Sequence, residues 1–231
     1  MLSIVGTPIG NIEDVSYRQA KTLLESDIIL AEDTRTAQTF LHSLIRLQLF
    51  PSLPQKVPKV ISYYKEKEMN ALPHVMSLLD EEKNVSLISE AGMPIISDPG
   101  YLLVRAVIER GIPYQVIPGP SAVTTALLHT GMQWDSFQFV GFIPKKEGQL
   151  VGFFEKLSRM APISPNLVFV CFDSPLRINK TLEVLDRLYP DAQVVLTREL
   201  TKEFETIYRG TPQDLAKGEY RGEITLVVKF S

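Results

Sequence analysis

A chain of 231 residues, 45% hydrophobic and 22% charged, has the composition of an ordinary soluble globular protein and room for one large domain or two small ones. A formal net charge of −3 does not announce a nucleic-acid binder, although a local basic cleft would suffice for one. No apolar stretch approaches the roughly 20 residues that span a bilayer, and a single cysteine excludes a disulfide within the chain, which fits a cytosolic location.

The predicted elements alternate. Residues 2–5 read as a first strand, not a signal peptide, because no basic n-region precedes them. A loop at 6–11 leads to a helix at 15–26, with Asp14 as its N-cap. A strand at 28–31 is followed by a helix at 34–47, and the three prolines at 49–58 mark a surface loop. Strands at 60–63, 85–88 and 114–117 enclose helices at 66–81 and 101–110. This alternation implies a parallel sheet with right-handed crossovers. After a helix at 121–130 the character changes. Strands at 137–142, 167–172 and 194–197 enclose helices at 150–160 and 176–188, and stretches 203–208 and 223–230 flank a short helix starting at Thr211. The tail strands read as antiparallel. The expected fold is therefore α/β with two domains, 1–119 with a mostly parallel five-stranded sheet and 120–231 with a mixed sheet, packed over a ligand cleft.

Two proline-glycine loops stand out, Ser89-Glu90-Ala91-Gly92-Met93-Pro94-Ile95-Ile96-Ser97-Asp98-Pro99-Gly100 and Pro118-Gly119-Pro120-Ser121-Ala122. Each follows an apolar run and precedes a helical pattern, which in a parallel sheet is the carboxyl end of a strand, where ligands sit. Neither is a phosphate fingerprint: G-x-G-x-x-G and G-x-x-x-x-G-K-[ST] are both absent. Ser121 sits on a strand-to-helix turn, but Val123 occupies the second glycine position of G-x-S-x-G, so an N-cap is the better account. His42, His74 and His129 are isolated, and no metal site is expected. Cys171 lies in an apolar run and reads as a buried, inert thiol. The basic side chains are scattered: Lys145 and Lys146, Arg177 and Lys180, Arg198 and Lys202, Arg209 and Arg221.

Glu32-Asp33-Thr34-Arg35 also falls at a strand's carboxyl end, where its charges can bind substrate or position a base; alternatively Asp33 only caps the next helix. Glu90 and Asp98 flank the first proline-glycine loop, and Asp98-Pro99 is equally an N-cap followed by an N1 proline. Arg198-Glu199-Leu200-Thr201-Lys202 follows a strand of the second domain.

Together with Gly6-Thr7-Pro8-Ile9-Gly10-Asn11 and Arg221-Gly222-Glu223-Ile224, these segments resemble the ribosomal RNA small-subunit methyltransferase I family, in the tetrapyrrole methylase superfamily of class III S-adenosylmethionine methyltransferases. The resemblance covers nearly the whole chain in order. It implies the tetrapyrrole methylase fold, S-adenosylmethionine as cosubstrate, and methyl transfer to the ribose 2′-hydroxyl of a cytidine in 16S rRNA of the small ribosomal subunit. It also implies a cytoplasmic homodimer. Carried over by position, cofactor contacts fall on Pro8, on Ser89, Glu90, Ala91, Gly92, Met93 and Ile96, and on Ser121 and Ala122. In the second domain they fall on Phe172, Leu200, Gly222, Glu223 and Ile224. Candidates for the general base are Asp33, Glu199 and Lys202, with Arg35 binding phosphate.

Two segments depart from the family pattern. Glu90-Ala91-Gly92-Met93-Pro94 stands where Asp-Ala-Gly-Thr-Pro is usual, and Phe172-Asp173-Ser174-Pro175-Leu176-Arg177 replaces Tyr-Glu-Ser-Pro-His-Arg. The chain also ends at Ser231, where many relatives continue with a small helical extension. Two competing readings are methylation of a tetrapyrrole or other small acceptor, and a non-catalytic RNA-binding protein that keeps the fold.

Overall fold

The computed structural model describes residues 1–48, 50–164 and 166–230. Two compact units divide the chain, Met1–Ser121 and Ala122–Ser231.

In the first unit, strands β1 (Leu2–Val5), β2 (Ile28–Ala31), β3 (Lys59–Ser62), β4 (Val85–Leu87) and β5 (Tyr114–Ile117) pair in the order β3-β2-β4-β1-β5. Every pairing is parallel. Helices α1 (Tyr17–Leu24), α2 (Thr34–Arg46), α3 (Glu68–Asp80) and α4 (Tyr101–Glu109) cover the sheet. Successive residues of β2 serve opposite faces, as the two-residue period of a strand requires. Ile29 and Ala31 join Leu23 of α1 and Leu41 of α2, whereas Ile28 and Leu30 join Val75 of α3 and Leu103 of α4. That is why β1 and β2 are continuous apolar runs, buried at every position. Each large side chain so buried contributes roughly 1.5–3 kcal/mol. Because all five strands point one way, the loops after β1, β2, β4 and β5 share one edge of the sheet.

The second unit opens with α5 (Ala122–Leu128) and is built on β6 (Ser136–Phe142), β7 (Leu167–Asp173), β8 (Gln193–Arg198), β9 (Thr206–Gly210) and β10 (Ile224–Lys229), in the order β6-β7-β10-β8-β9. Only β6 and β7 are parallel; β10 with β7, β10 with β8, and β8 with β9 are antiparallel. Helices α6 (Glu147–Ser158), α7 (Ile178–Leu188) and α8 (Pro212–Leu215) enclose a core of Phe154, Phe169, Cys171, Leu182, Leu196 and Leu226. Cys171 is fully buried, and burial pushes its thiol well above its ordinary value, as expected of an inert core cysteine.

Element boundaries differ from the sequence reading where side chains bond to the backbone. Helix α1 starts two residues late, because Ser16 rather than Asp14 caps it. Ser16 Oγ accepts the Gln19 N–H at 3.2 Å, and Gln19 Oε1 accepts the Ser16 N–H at 2.7 Å. Asp14 instead closes a short 3₁₀ turn, Ile12–Asp14. Helix α6 begins three residues earlier than expected, and α7 begins at Ile178 after a Ser174–Arg177 turn. Strand β9 starts at Thr206, not at 203, because the Arg198 guanidinium holds Phe204 O (3.0 Å) and Thr206 Oγ1 (3.2 Å) in a turn. Leu49, in the expected surface loop, lies outside the described residues, and Leu53 of that loop is buried against Phe50 and the α1–α2 face.

Candidate functional site

The loops after β1, β4 and β5 meet backbone to backbone. Thr7 and Gly92 form an antiparallel bridge, Thr7 N–H to Gly92 O at 2.8 Å and Gly92 N–H to Thr7 O at 3.2 Å. The Thr7 hydroxyl lies within reach of Ser89 O (3.3 Å) and Gly92 O (3.4 Å). Gly6 and Gly119 pack so closely that a Cβ on Gly6 would stand 2.8 Å from Gly119 Cα and 2.7 Å from Met93 Sδ. Only glycine permits that approach. Gln19 locks it from below by donating Nε2–H to Gly6 O at 2.6 Å. The Met93 sulfur therefore sits over Gly6, and the half-buried Pro8 and the Ser89–Met93 segment belong to one cluster. Ile96 stands 49% exposed between Ile95 and Ser97, whose φ values of 74° and 72° are rare for non-glycine residues. Ser121 directly precedes α5, whose first residue is Ala122.

Asp33 is the N-cap of α2. Its Oδ1 accepts the N–H groups of Arg35 (2.7 Å) and Thr36 (3.3 Å), and its Oδ2 accepts Arg35 Nη2–H at 3.3 Å. The Arg35 N–H, then the Arg35 guanidinium and the Thr36 N–H, hold this carboxylate below its usual range. Arg35 itself is 90% exposed in its side chain.

Asp98 does not cap a helix: α4 starts at Tyr101 with Gly100 as cap, at φ 130°. Burial, then the Glu32 carboxylate and more weakly Glu90, push Asp98 up to about 6, while a hydrogen bond from Ser89 pulls the other way. Glu32 follows β2 and Glu90 follows β4, and those strands are neighbours in the sheet although β3 separates them in the sequence. Sequence reading singled out both positions but had no means of joining them.

A stability consequence follows. The folded value lies above the unfolded 3.8, so the native state holds the extra proton between the two. The associated stability is complete below about 4 and is lost as pH rises through about 6. Discounted for the partial exposure of Asp98, the loss is on the order of 1 kcal/mol. Asp98→Asn should therefore raise Tm by about 2–4 °C at pH 7.5 and leave it unchanged at pH 4. Equal shifts at both pH values in thermal scans would refute this account.

In the second unit, Glu199 Oε1 accepts Lys202 Nζ–H (3.1 Å) and the Glu223 N–H (2.8 Å), and Lys202 Nζ also reaches Glu223 Oε2 at 3.0 Å. Gly222, at φ 81°, leaves room for this carboxylate, since a Cβ there would collide with the Glu199 side chain. The Glu223 N–H, against some burial and helped by Lys202, holds Glu199 below its ordinary value. Burial alone would lower Lys202, but the Glu223 and Glu199 carboxylates outweigh it and raise the ammonium. Lys202, expected as a base, therefore keeps its proton at neutral pH. Leu200 is buried, Ile224 pairs with Asp173 and Arg198, and Thr225 pairs with Phe172, so these positions adjoin one another. Among the described residues no group of three or more His, Cys, Asp or Glu side chains could hold a metal ion, and no helix is long and apolar enough to cross a membrane.

The family model for tetrapyrrole (corrin/porphyrin) methylases matches residues 1–216. The chain belongs to the tetrapyrrole methylase family. This tetrapyrrole methylase is 35% identical over 229 residues to the ribosomal RNA small subunit methyltransferase I of Coprothermobacter proteolyticus, covering 99% of this chain and 97% of that one. It is 37% identical over 234 residues to the protein of that name from Thermotoga maritima, covering 98% and 97%. Against the Halalkalibacterium halodurans protein of that name identity is 36% over 232 residues, covering 99% of this chain and 75% of the relative. The fold matches crystal structures of the methyltransferase CobJ (TM-score 0.71, 16% identity, covering 100% and 94%) and of the Thermus thermophilus uroporphyrin-III-C-methyltransferase (0.63, 16%, covering 99% and 93%).

Proposed function

We propose that this protein methylates 16S rRNA of the small ribosomal subunit, transferring the methyl group of S-adenosylmethionine to the ribose 2′-hydroxyl of a cytidine. The observation that carries the proposal is whole-length similarity, at 35–37% identity, to relatives named for action on small-subunit ribosomal RNA. The setting is the bacterial cytoplasm, and the working form is a homodimer.

The residues present fit the cosubstrate. A sulfonium is cationic and has no phosphate to cradle. The carboxyl edge of the first sheet supplies close backbone approach at Gly6 and Gly119 and carboxylates at Glu32, Asp33, Glu90 and Asp98, while its arginine, Arg35, is tied to Asp33. Phosphate would be repelled there and a sulfonium would not. When bound, S-adenosylmethionine supplies an already activated methyl group, so positioning of the hydroxyl accounts for much of the rate.

What remains for the chain is to orient the acceptor and take its proton. Asp33 and Glu199 are held as weak bases, and Lys202 holds its proton. Asp98, near 6, has the proton affinity that suits a base at neutral pH, and we assign it that role. Arg35, exposed, is the assigned phosphate contact. Titration calorimetry with S-adenosylmethionine should show saturable binding; its absence would sink the enzyme reading. Small subunits from a strain lacking the gene should gain a 2′-O-methyl cytidine in 16S rRNA on incubation with the protein. Methyl transfer only to a small acceptor would replace the proposal. Asp98→Asn should lower the rate about 10²–10⁴-fold with binding retained.

A further inference from the structure

Strand β6 carries one residue more than its partner. Phe139 pairs with Val170 and Phe142 with Phe172, so three steps along β6 match two along β7. Gly141, at φ 73°, lies within this bulge. In an unbroken strand residues three apart point to opposite faces. The bulge instead places Phe139 and Phe142 on one face, with ring centroids 4.9 and 5.4 Å from Phe172 and both inclined at 61° to it. Phe139 and Phe172 are half-buried, whereas Phe142 is 61% exposed.

The chain beyond Phe142 is pinned. Ile143 is buried and donates its N–H to Phe172 O at 2.9 Å, and Pro144 follows. Lys145 and Lys146 come next. Both are exposed, and neither ammonium has a hydrogen-bond or ion-pair partner among the described residues. Their neighbouring carboxylate, Glu147, is taken by Lys180 (3.4 Å) and Arg187 (3.3 Å), so it does not neutralise them. A rigid, solvent-facing ring thus stands beside two uncompensated positive charges in a chain that is acidic overall.

We infer that Phe142, Lys145 and Lys146 form a contact platform for single-stranded RNA, with an unpaired base stacked on the Phe142 ring and adjoining phosphates held by the two lysines. Unpaired RNA offers both features, a π-face and a run of phosphates. The inference rests on the rRNA reading above and adds where the acceptor strand is gripped.

Binding of a fluorescein-labelled oligoadenylate, read by anisotropy, tests it apart from catalysis. Phe142→Ala should weaken binding about 10-fold, Phe142→Trp should preserve it, and S-adenosylmethionine affinity should be unchanged in both. Lys145→Gln with Lys146→Gln should reduce the slope of log K against log salt by about 1.4, near 0.7 for each phosphate released. Unchanged oligoadenylate binding in Phe142→Ala overturns the platform. So does a parallel loss of S-adenosylmethionine binding, which would place the ring in the cosubstrate pocket. If Phe142→Ala does not fold, an unaltered salt slope in the double lysine variant overturns it. Failure of the wild type to methylate small subunits would count against the rRNA reading, while the anisotropy result still decides the platform.

Discussion

Gly6→Ala is expected to weaken S-adenosylmethionine binding by about 100-fold or more. The added Cβ would stand 2.8 Å from Gly119 Cα and N, and backbone on a hydrogen-bonded strand end cannot step aside: Gly6 N–H is bonded to Ile117 O at 3.0 Å. Met93 could swing away, but Gly119 could not. The β1 and β5 loops would be prised apart by several tenths of an ångström, at an overpacking cost of about 1–3 kcal/mol. Displacements on the scale of about 1 Å in a positioning scaffold cost about 10²-fold. Gly152→Ala is the control, because a Cβ there, in α6, meets nothing within 4 Å. That exposed change should be neutral or stabilising by up to about 1 kcal/mol. Calorimetry on both variants decides the matter: wild-type affinity in Gly6→Ala would remove the close approach from the binding account.

The second large effect is structural. Glu68, buried in the first turn of α3, turns its Oε1 to the N–H groups of Gly100 (3.1 Å) and Leu102 (2.9 Å) and to the Tyr63 hydroxyl (3.3 Å). It thereby anchors the start of α4 and the end of the loop that carries Ile95, Ser97 and Asp98. Burial, reinforced by Glu68, raises the Tyr63 hydroxyl, so that it stays a donor. Glu68→Ala would strand two backbone donors and a phenol at about 1–3 kcal/mol each, not additively, for a total of about 3–5 kcal/mol. Tm should fall on the order of 10 °C, and Glu68→Gln, which keeps an acceptor, should recover part of it. An alanine variant melting within about 2 °C of wild type would show that the anchor is dispensable.

The parallel sheet was legible because β1 and β2 are unbroken apolar runs set between helical patterns, and both proline-glycine loops announced themselves by position. What escaped sequence reading was whatever depends on side chains reaching across elements. Ser16 and Asp14 are both good caps, and only Gln19 decides between them. Asp98 reads as a cap beside Pro99 until the adjacency of β2 and β4 brings Glu32 and Glu90 near it. Lys202 reads as a base until Gly222 admits the Glu199 carboxylate beside it. Phe142 passes for an ordinary strand residue, because a bulge at Gly141 leaves no mark in a hydrophobic pattern.

The single cysteine has a practical use. Cys171 lies on β7 with no exposed surface and a thiol that burial keeps protonated, and no cysteine occurs in the first unit. An alkylating reagent can reach it only when the second sheet opens. The rate of thiol labelling is therefore a clock for the unfolding of that unit alone, built into the unmodified chain and blind to any loosening of the first unit's loops.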